Sequence, residues 1–370
     1  MSDESTMDSR AAIRTFRETG EAWAMRITSS AASFVQYPAH AEAKSVSGWR
    51  AVRLVAEAGD GSWAGAQVLI RRLPGPFGAM GYVPFGPVVA ATDDALAARL
   101  RAALLASFAG LRADGVTLLR FEVPDMLPVP EGDDAVHPAA ALTAPLRATW
   151  EAALTTAGLR FTAGETVQPR STRVIDLRLG LEAVRAAWHP TRRRYARQAE
   201  ESGVRVRLAS ATEAASLATV MGAIAARAEI FSRPAAVYEH IMRSFGSAAE
   251  LTIAEGPDGT LVGAFLTITV GRSTTWLFGG AIDHESVRHA ATALQADAIS
   301  RAVTRGSERY DLWGLPTAGI DENKLKWAGR AWAYGGAFDV DLDPLRGALA
   351  RYALRLRRRI LRSGMRGLGD

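Results

Sequence analysis

The fold of this chain is decided by a stretch of its second half, Leu251-Thr-Ile-Ala-Glu-Gly-Pro-Asp-Gly-Thr-Leu-Val-Gly-Ala-Phe-Leu-Thr-Ile-Thr-Val270. Two runs rich in apolar and β-branched residues, 251–255 and 261–270, flank Pro257-Asp-Gly259, a pattern typical of a turn between two strands. A third strand is predicted over 274–278. This part of the chain is therefore expected to begin as an antiparallel sheet.

A helix and a returning strand are predicted after these three strands. Gly306 stands where the C-cap of the helix is expected, and the strand follows over Arg309–Leu312. Apolar residues recur at helical spacing and form one face, which consists of Val287, Ala291, Leu294, Ala298 and Ala302.

The first half of the chain repeats this order. A turn at Gly59-Asp-Gly61 separates the first two strands, and Asp93 or Asp94 can cap the helix, which ends before Gly115. The apolar face of that helix consists of Leu96, Leu100, Leu104, Phe108 and Leu111. The predicted strands cover Ala51–Glu57, Trp63–Arg72, Met80–Val83 and Val116–Val123.

Strand, turn, strand, strand, helix, strand is the order of a Gcn5-type acetyltransferase (GNAT-like) core. We therefore predict an α+β protein with two tandem GNAT-like acyltransferase domains, and two unrelated α+β domains are the alternative. The first domain is expected over 1–165 and the second over 166–340. A basic C-terminal helix and tail, 341–370, should pack back on the first domain.

The C-terminal helix has its own start signal and its own apolar stripe. Asp343 is a capping residue, and Pro344 suits the first helical turn. The stripe is expected to face the body of the protein and consists of Leu345, Leu349, Tyr352, Leu356 and Ile360.

Composition excludes several classes of site and location. The chain of 370 residues has no cysteine, which rules out disulfides, thiolate metal sites and a cysteine nucleophile. The acidic, polar opening is unlike a secretory signal, and no apolar run approaches the roughly 18 residues of a membrane span. We expect a cytoplasmic monomer.

The net charge of +5 is concentrated at the C-terminus. Residues 345–366 contain eight arginines and no acidic residue. Without these arginines and the terminal Asp370, the chain holds 36 basic and 38 acidic residues. The basic character is therefore local, which points to a polyanionic partner for this segment.

Six short motifs, in order along the chain, resemble the Fem family (FemAB-like) of aminoacyl-tRNA-dependent peptidyltransferases, which form peptidoglycan bridges. Each motif is weak alone, but their order on a duplicated fold is specific. They are Ser33-Phe-Val-Gln36 followed by Lys44, Tyr82-Val-Pro-Phe-Gly-Pro-Val88, Val167-Gln-Pro169 with Ile175-Asp-Leu177, Thr191–Ala199 with Gly203-Val204, Tyr310-Asp-Leu-Trp-Gly314, and the lysine pair Lys324 and Lys326.

The resemblance implies a reaction in which an acceptor amine attacks the ester carbonyl of aminoacyl-tRNA. The implied partners are an aminoacyl-tRNA and an amine acceptor, either a muropeptide precursor or a small metabolite. No metal or cofactor is implied. Because ester aminolysis runs downhill, the protein mainly has to align two substrates and screen their charge.

The resemblance also suggests residue roles. Lys324 or Lys326 would place the reacting groups, with spacing to later motifs favouring Lys324 and its apolar neighbours favouring Lys326. Lys44 would contact acceptor phosphates, or it is a solvated surface lysine. Arginines at 192–197 could hold a pyrophosphate, with Arg193, Arg194 and Arg197 as the candidates, or they form a solvated helix face.

Further candidates lie at the acceptor side and in the tail. Tyr82, Trp276 and Phe278 are candidate substrate contacts, although Phe278 lacks the hydroxyl of the family's tyrosines. His40, at a family tryptophan position, and Ala90, at an aspartate position, are further departures that put the usual acceptor in doubt. The tail would bind tRNA through Arg351, Arg355, Arg358 and Arg359, or it would contact an anionic membrane.

One motif points to a different donor. Arg17-Glu-Thr-Gly-Glu-Ala22 fits the RxxGxA loop that binds acetyl-CoA. No strand is predicted before it, so we do not expect pyrophosphate binding there. The alternative functions are a tRNA-dependent, amide-forming transferase of natural-product biosynthesis and a CoA-dependent GNAT N-acyltransferase. A non-catalytic scaffold that binds RNA or a membrane is a third.

Overall fold

The structure, a computed structural model, describes residues 12–228, 232–285 and 287–354. Within these ranges the chain forms two mixed sheets of eight strands each, with helices packed against both. The predicted α+β class is confirmed.

The first sheet has the strand order β1-β2-β3-β4-β6-β16-β8, and the short strand β5 pairs with β3. All of its pairings are antiparallel except that of β4 with β6. The strands are β1 (Ile13–Arg17), β2 (Arg50–Ala58), β3 (Trp63–Arg72), β4 (Ala79–Val83), β5 (Val88–Ala90), β6 (Val116–Glu122), β8 (Phe161–Gly164) and β16 (Ala337–Asp341).

The second sheet has the order β10-β11-β12-β13-β14-β9-β15-β7. Here too a single pairing within the described residues is parallel, that of β13 with β14. The strands are β7 (Met126–Pro128), β9 (Ser171–Asp176), β10 (Arg205–Ala209), β11 (Ala249–Glu255), β12 (Leu261–Val270), β13 (Ser273–Ala281), β14 (Arg309–Asp311) and β15 (Arg330–Tyr334).

The helices fill the connections between the strands. They are α1 (Gly20–Thr28), α2 (Pro38–Ser45), α3 (Asp94–Ser107), α4 (Ala140–Thr156), α5 (Gly180–Ala187), α6 (Pro190–Glu201), α7 (Ala214–Ala228), α8 (Ala235–Phe245), α9 (Ala290–Thr304), α10 (Ala318–Leu325) and α11 (344–354). Asp93 caps α3, since its carboxylate accepts from the backbone N–H of Leu96 at 2.8 Å.

The predicted repeat is present in both halves. The series β2-β3-β4-α3-β6 and β11-β12-β13-α9-β14 have the same order, and in each the helix links the two strands that run parallel. A parallel pair needs such a crossover connection, whereas the antiparallel neighbours are joined by short turns. The tandem GNAT-like architecture is confirmed.

Each half has its own hydrophobic core. In the first half, α3 and α4 pack on the sheet around Leu104, Phe108 and Trp150, which are fully or almost fully buried. In the second half, α9 covers one face and α7 and α8 the other. A third cluster joins the halves, with Trp23 and Phe34 from the first packed near Phe245 from the second.

Two strands cross between the halves. The short strand β7 leaves the first half and pairs with β15 of the second sheet. In return, β16 follows β15 and inserts between β6 and β8 of the first sheet. The proposed boundary near residue 165 falls between β8 and β9, but neither sheet is built from one continuous segment of chain.

A buried ion pair fixes the returning strand. Arg120 of β6 donates from Nε and Nη2 to the two carboxylate oxygens of Asp339 in β16, at 2.6 and 2.8 Å. Both side chains are at most 4% exposed. Such a pair is costly to break on one side, because the remaining charge would be left buried without a partner.

The C-terminal helix α11 lies on the first sheet as predicted, but with the opposite face inward. Arg351 binds Asp341 and Thr162, each at 2.9 Å. The predicted stripe faces solvent instead, with Leu345, Leu349 and Tyr352 exposed by 73, 48 and 67%. The expectation that this stripe packs on the body is therefore wrong for these three residues, and its continuation at 356 and 360 lies outside the described residues.

Candidate functional site

A cavity of about 1020 Å³ lies in the second half, between the carboxyl-terminal parts of β13 and β14 and the helices α6, α9 and α10. Its wall combines the end of β13, the loop 312–316 after β14, and the segment 167–170. The parallel strands β13 and β14 share only three register pairs, 273–275 with 309–311. Beyond these pairs the chains separate, and the cavity occupies that space.

Glycine at position 279 keeps the wall formed by β13 in place. Gly279 has φ of +133°, a conformation that side-chain-bearing residues rarely adopt. A Cβ atom there would overlap the carbonyl oxygen of Ala264 on the neighbouring strand β12. The register between the two strands shifts close by, between Leu266 and Thr267, so this part of β13 is bent around the cavity.

Lys324 is the cation at the end of α10, and it lines the cavity. Its ammonium donates to the carbonyl oxygens of Trp313 and, at 2.6 Å, Gly314. Trp313 has φ of +53°, so the loop after β14 turns at this point. The helix itself is anchored to β9, because Arg173 forms an ion pair with Asp321.

The surroundings of Lys324 lower the pKa of its ammonium group. Burial lowers its pKa to about 8, although the carboxylates of Asp311 and Asp321 act in the opposite direction. Burial likewise raises the pKa of Asp311, which accepts from the hydroxyl of Thr172 and from the backbone N–H of Trp313 at 2.7 Å. The ammonium is therefore still largely protonated at neutral pH, but it loses its proton far more readily than an ordinary lysine.

Aromatic rings form the wall beside Lys324. The ammonium lies 5.4 Å from the ring centroid of Trp276, which is stacked on Phe265 at 4.6 Å. Phe278 lines the same cavity and meets Tyr238 edge-on. Three of the predicted site residues, Lys324, Trp276 and Phe278, are thus brought together.

The three predicted arginines of α6 lie outside the cavity. Arg193 donates to the carbonyl oxygens of Ala186 and Trp188, both at 2.7 Å, where it satisfies the end of α5. Arg197 forms an exposed i,i+4 pair with Glu201. Arg194 is exposed and lies over the ring of Tyr195.

Arg192, which belongs to the predicted basic cluster but was not among its named candidates, is the arginine of this helix that lines the cavity. It is 8% exposed. A signal was available in the spacing, because Arg192, Ala196 and Ala199 share one helical face and Ala199 is fully buried. The inward position of Arg192 follows from that face.

Lys44 does not line the cavity, but it lies within electrostatic range of Arg233. It is exposed on α2, yet its neighbours shield it enough that desolvation, followed by the positive charge of Arg233, lowers its pKa. Arg233 in turn lies 5.2 Å from the ring centroid of Phe278 in the cavity wall. Neither cation has a carboxylate partner in the part of the chain that the structure describes. Arg233 was not predicted.

Tyr82 is buried behind the cavity wall. Its hydroxyl donates to the carboxylate of Glu122 and accepts from the side-chain amide of Gln168 at 3.0 Å. Gln168 and Val167 line the cavity, and both of their backbone N–H groups donate to Glu122. Burial, followed by the charge of Glu122, raises the pKa of Tyr82. Tyr82 therefore supports the wall rather than facing the cavity.

The first two family motifs contact each other. The side-chain amide of Gln36 donates to the carbonyl oxygen of Pro84 at 2.7 Å, and its oxygen accepts from the backbone N–H of Gln67 at 2.8 Å. His40 is buried beside Phe34, and burial, followed by the charge of Lys44, lowers its pKa to about 3. This histidine is therefore neutral at physiological pH.

The remaining predicted residues lie elsewhere. Lys326 is partly exposed, forms a 3.5 Å pair with Glu322, and does not line the cavity. Arg351 is held by Asp341 and Thr162 on the first sheet. Arg355, Arg358 and Arg359 lie outside the described residues.

The RxxGxA motif lies in a different environment from the one expected. A strand, β1, does precede it, and α1 begins at its glycine. The absence of a strand was therefore a wrong reason for rejecting it. The structure gives another reason, since Arg17 pairs with Asp114 and Glu21 stands in the first turn of α1, where its negative charge opposes binding of a phosphate.

Among the helices of the described residues, none combines the length and the hydropathy that a membrane span needs.

The comparisons with known proteins agree with this architecture. The model of the FemAB family matches residues 18–257, and that of an acetyltransferase (GNAT) domain matches residues 191–325. The crystal structure of FemX superposes with a TM-score of 0.75 at 17% identity, over 90% of this chain and 98% of that one. A conserved protein of unknown function from Bacteroides thetaiotaomicron VPI-5482 gives 0.53 at 10% identity, over 89 and 99%. No curated protein matches the chain by sequence.

Proposed function

Because the chain belongs to the FemAB family, we propose that it transfers an aminoacyl group from aminoacyl-tRNA to an amine of a peptidoglycan precursor or a related peptide. A single observation carries the proposal, the buried ammonium of Lys324 in the wall of a large cavity. A cation that is kept in so dry a place is suited to a developing negative charge.

The reaction needs two substrates in contact and one stabilised oxyanion. The acceptor amine attacks the ester carbonyl, and the carbonyl oxygen becomes negatively charged in the tetrahedral intermediate. Collapse of the intermediate breaks the bond to the ribose oxygen, which takes up the proton lost by the amine. An amide and a free tRNA 3′ end result.

Lys324 would stabilise the oxyanion. An ammonium has three N–H donors, and two of them are occupied by the carbonyl oxygens of Trp313 and Gly314. These bonds fix the ammonium while leaving one donor for a substrate atom. The proposal therefore selects Lys324 over Lys326, which is partly exposed and paired with Glu322.

The aromatic wall would hold the donor end. Trp276 lines the cavity beside Lys324, and stacking on an aromatic ring binds nucleobases without regard to sequence. A volume of about 1020 Å³ is at the upper end of small-molecule sites. It offers room for a terminal nucleoside together with its aminoacyl group.

Lys44 and Arg233 would bind a phosphorylated acceptor. Both cations lack a carboxylate partner among the described residues, and Arg233 lies against Phe278 at the edge of the cavity. Two neighbouring cations that repel each other without an anion are stabilised when a diphosphate binds between them. Because His40, Phe278 and Ala90 differ from the residues that the family has at these positions, a small metabolite is kept as the second class of acceptor.

The C-terminal helix supports a second contact, with an anionic membrane. Leu345, Leu349 and Tyr352 form an exposed stripe at i, i+4 and i+7, within the segment 345–366 that holds eight arginines and no acidic residue. An apolar face bordered by cations suits an anionic lipid surface, whereas tRNA binding by Arg351, Arg355, Arg358 and Arg359 needs no apolar face.

Vesicle sedimentation tests this contact. The wild-type chain should sediment with phosphatidylglycerol vesicles and not with phosphatidylcholine, and L345S/L349S should sediment less while binding tRNA normally. If the double variant keeps its vesicle binding and loses tRNA instead, the stripe serves RNA.

A transfer assay tests the main function. Purified protein, tRNA charged with each amino acid in turn, and a panel of UDP-linked, lipid-linked and free peptides are combined, and the amide product is measured by mass spectrometry. The expected result is an amide from at least one charged tRNA that forms only with an amine present. Amide formation from acetyl-CoA alone would favour the N-acyltransferase alternative.

A further inference from the structure

Arg192 is the most deeply buried cation of the cavity that has no strong partner. It projects from α6, between the start of α9 and the end of α10. Its two hydrogen bonds are long, 3.4 Å from Nη1 to the hydroxyl of Thr292 and 3.3 Å from Nη2 to the carbonyl oxygen of Asn323. The buried Nε has no partner.

Comparison with other buried arginines of the described chain shows that Arg192 lacks a carboxylate partner. Arg120 and Arg173 are as buried as Arg192, and each forms a two-point ion pair with an aspartate. Arg192 has no carboxylate partner in the described ranges and instead lies 5.4 Å from the ring of Trp327. A buried cation without an anion is costly, so the empty position beside Arg192 is suited to an anion from outside the protein.

The local charge indicates a polyanion. Arg194 and Arg288 act together with Arg192 on His289 at the start of α9, where all three positive charges, after burial, lower the pKa of that histidine. Ala291 and Thr292, in the first turn of α9, line the cavity. The N-terminal end of a 15-residue helix adds a favourable dipole for negative charge.

We propose that Arg192, Thr292 and the first turn of α9 form a phosphate-binding site inside the cavity, which receives a phosphodiester near the 3′ end of the RNA donor. This inference rests on the proposed function for the identity of the donor. A guanidinium with a free Nε and two loosely bonded amino groups can rotate toward two phosphate oxygens and bind them in parallel.

The position of this site relative to Lys324 assigns the two cations different tasks. Arg192 touches the carbonyl of Asn323, the residue just before Lys324. A phosphate on Arg192 would therefore hold the donor strand next to the ammonium that acts on the ester. Arg192 would act as a binding residue, and its loss should raise KM for the donor more than it lowers kcat.

Titration calorimetry with the trinucleotide CCA tests the site without any turnover. The probes are CCA, the same trinucleotide with uncharged methylphosphonate linkages, and acetyl-CoA. The wild-type chain should bind CCA, and Arg192→Gln should weaken this binding about 10- to 100-fold, the effect of losing one charge-assisted contact. The uncharged probe should bind both proteins equally weakly.

Two further variants are controls for a general loss of structure. Arg192→Lys keeps the charge but not the two-point geometry and should bind CCA with intermediate affinity. Arg301→Gln removes a cation from α9, the helix whose first turn belongs to the proposed site, but at a position where Arg301 pairs with Asp297 and does not line the cavity; it should bind like wild type. Thermal unfolding of each variant shows whether it is folded.

The outcomes separate the site from the function. Equal CCA binding by wild type and folded Arg192→Gln, or no binding of CCA and acetyl-CoA by wild type, overturns the site. Arg192-dependent binding of acetyl-CoA but not CCA supports the phosphate site and overturns the RNA donor. CCA binding that depends on Arg192, combined with no amide formation from any charged tRNA, supports the site and counts against the proposed function.

Discussion

Replacement of Lys324 by methionine is the most informative perturbation of the proposed active site. Methionine has a similar length and fills the space beside Trp276, but it offers neither charge nor N–H donors. The aromatic wall of the cavity should remain, because the contacts of Trp276 with Phe265 do not involve the lysine. The substitution therefore removes one preorganised donor from an otherwise intact site.

We expect kcat to fall by about 10²- to 10³-fold, the usual effect of removing one oxyanion donor. KM for either substrate should change little, because the third N–H of Lys324 is proposed to act on charge that develops only in the transition state. The measurement is steady-state amide formation at saturating charged tRNA and acceptor.

The pH dependence gives an independent check. Because burial lowers the pKa of Lys324 to about 8, the charged form is lost as the pH rises through 8. Activity divided by the fraction of acceptor amine in its free form should therefore fall about tenfold per pH unit above that value. Lys324→Arg, whose guanidinium stays charged, should lack this alkaline decline whatever its absolute rate.

The free energy of unfolding should differ little between the wild type and Lys324→Met. The lowered pKa, about 8 against 10.5 for a free lysine, means that burial of the charged form costs about 3 kcal/mol below pH 8. Between pH 8 and 10.5 the unfolded chain binds the extra proton, so the free energy of unfolding of the wild type rises across this window. Methionine removes both the cost and the pH dependence, but it leaves two carbonyl oxygens without their donor, at about 1–3 kcal/mol each.

The net change in unfolding free energy at pH 7 is therefore expected within about 3 kcal/mol, and thermal unfolding of the variant shows that a loss of activity does not reflect unfolding. Lys326→Met is the matched comparison, since it removes a cation two residues away that is paired with Glu322 on the surface. The reasoning is refuted if folded Lys324→Met keeps more than a tenth of wild-type activity, or if the alkaline decline persists in Lys324→Arg.

Three further outcomes are expected. Lys44→Gln and Arg233→Gln should each raise KM for a phosphorylated acceptor about tenfold and leave KM for a phosphate-free peptide unchanged. Initial rates measure both values, and equal effects on the two acceptors would contradict a role in phosphate binding. Arg120→Met should lower the free energy of unfolding by about 3–5 kcal/mol, because Asp339 is left buried and unpaired, and urea unfolding measures this. The free energy of unfolding of the wild type should fall as the pH drops from 6.5 toward 3, because His40 has a pKa of about 3 in the folded state and the unfolded chain is protonated first. His40→Leu should reduce this pH dependence, as measured by acid unfolding followed by fluorescence.

Local sequence patterns were sufficient to predict the strands and helices of the repeated core. Strand β12 and the turn before it follow from Leu261–Val270 and Pro257-Asp-Gly259, because turn residues and β-branched runs act over a few residues. Lys324 and Lys326 could both be chosen as candidates, because they stand at about the distance from later motifs at which the family has its lysine. The sequence could not tell their surroundings apart, whereas in the structure Lys324 is buried and Lys326 is partly exposed and paired with Glu322.

Features that depend on distant parts of the chain were not accessible from the sequence. The pairing of β7 with β15 and of β16 with β6 joins segments about 200 residues apart, and nothing in three-residue strands such as Met126–Pro128 specifies a partner. The helix α11 shows the same difficulty. An apolar stripe normally indicates the inner face, but the ion pair of Arg351 with Asp341 holds the opposite face on the sheet.

The crossed strands mean that a cut near residue 165, between the two halves, would leave both pieces with incomplete sheets. A fragment ending near residue 165 would retain β8 without β16, the strand that joins it to β6, and β7 would have no sheet to enter. The complementary fragment would carry β16 as an unpaired strand with nothing to bind. Exposed strand edges of this kind promote aggregation, so the two halves, although alike in architecture, are obliged to fold together as one cooperative body.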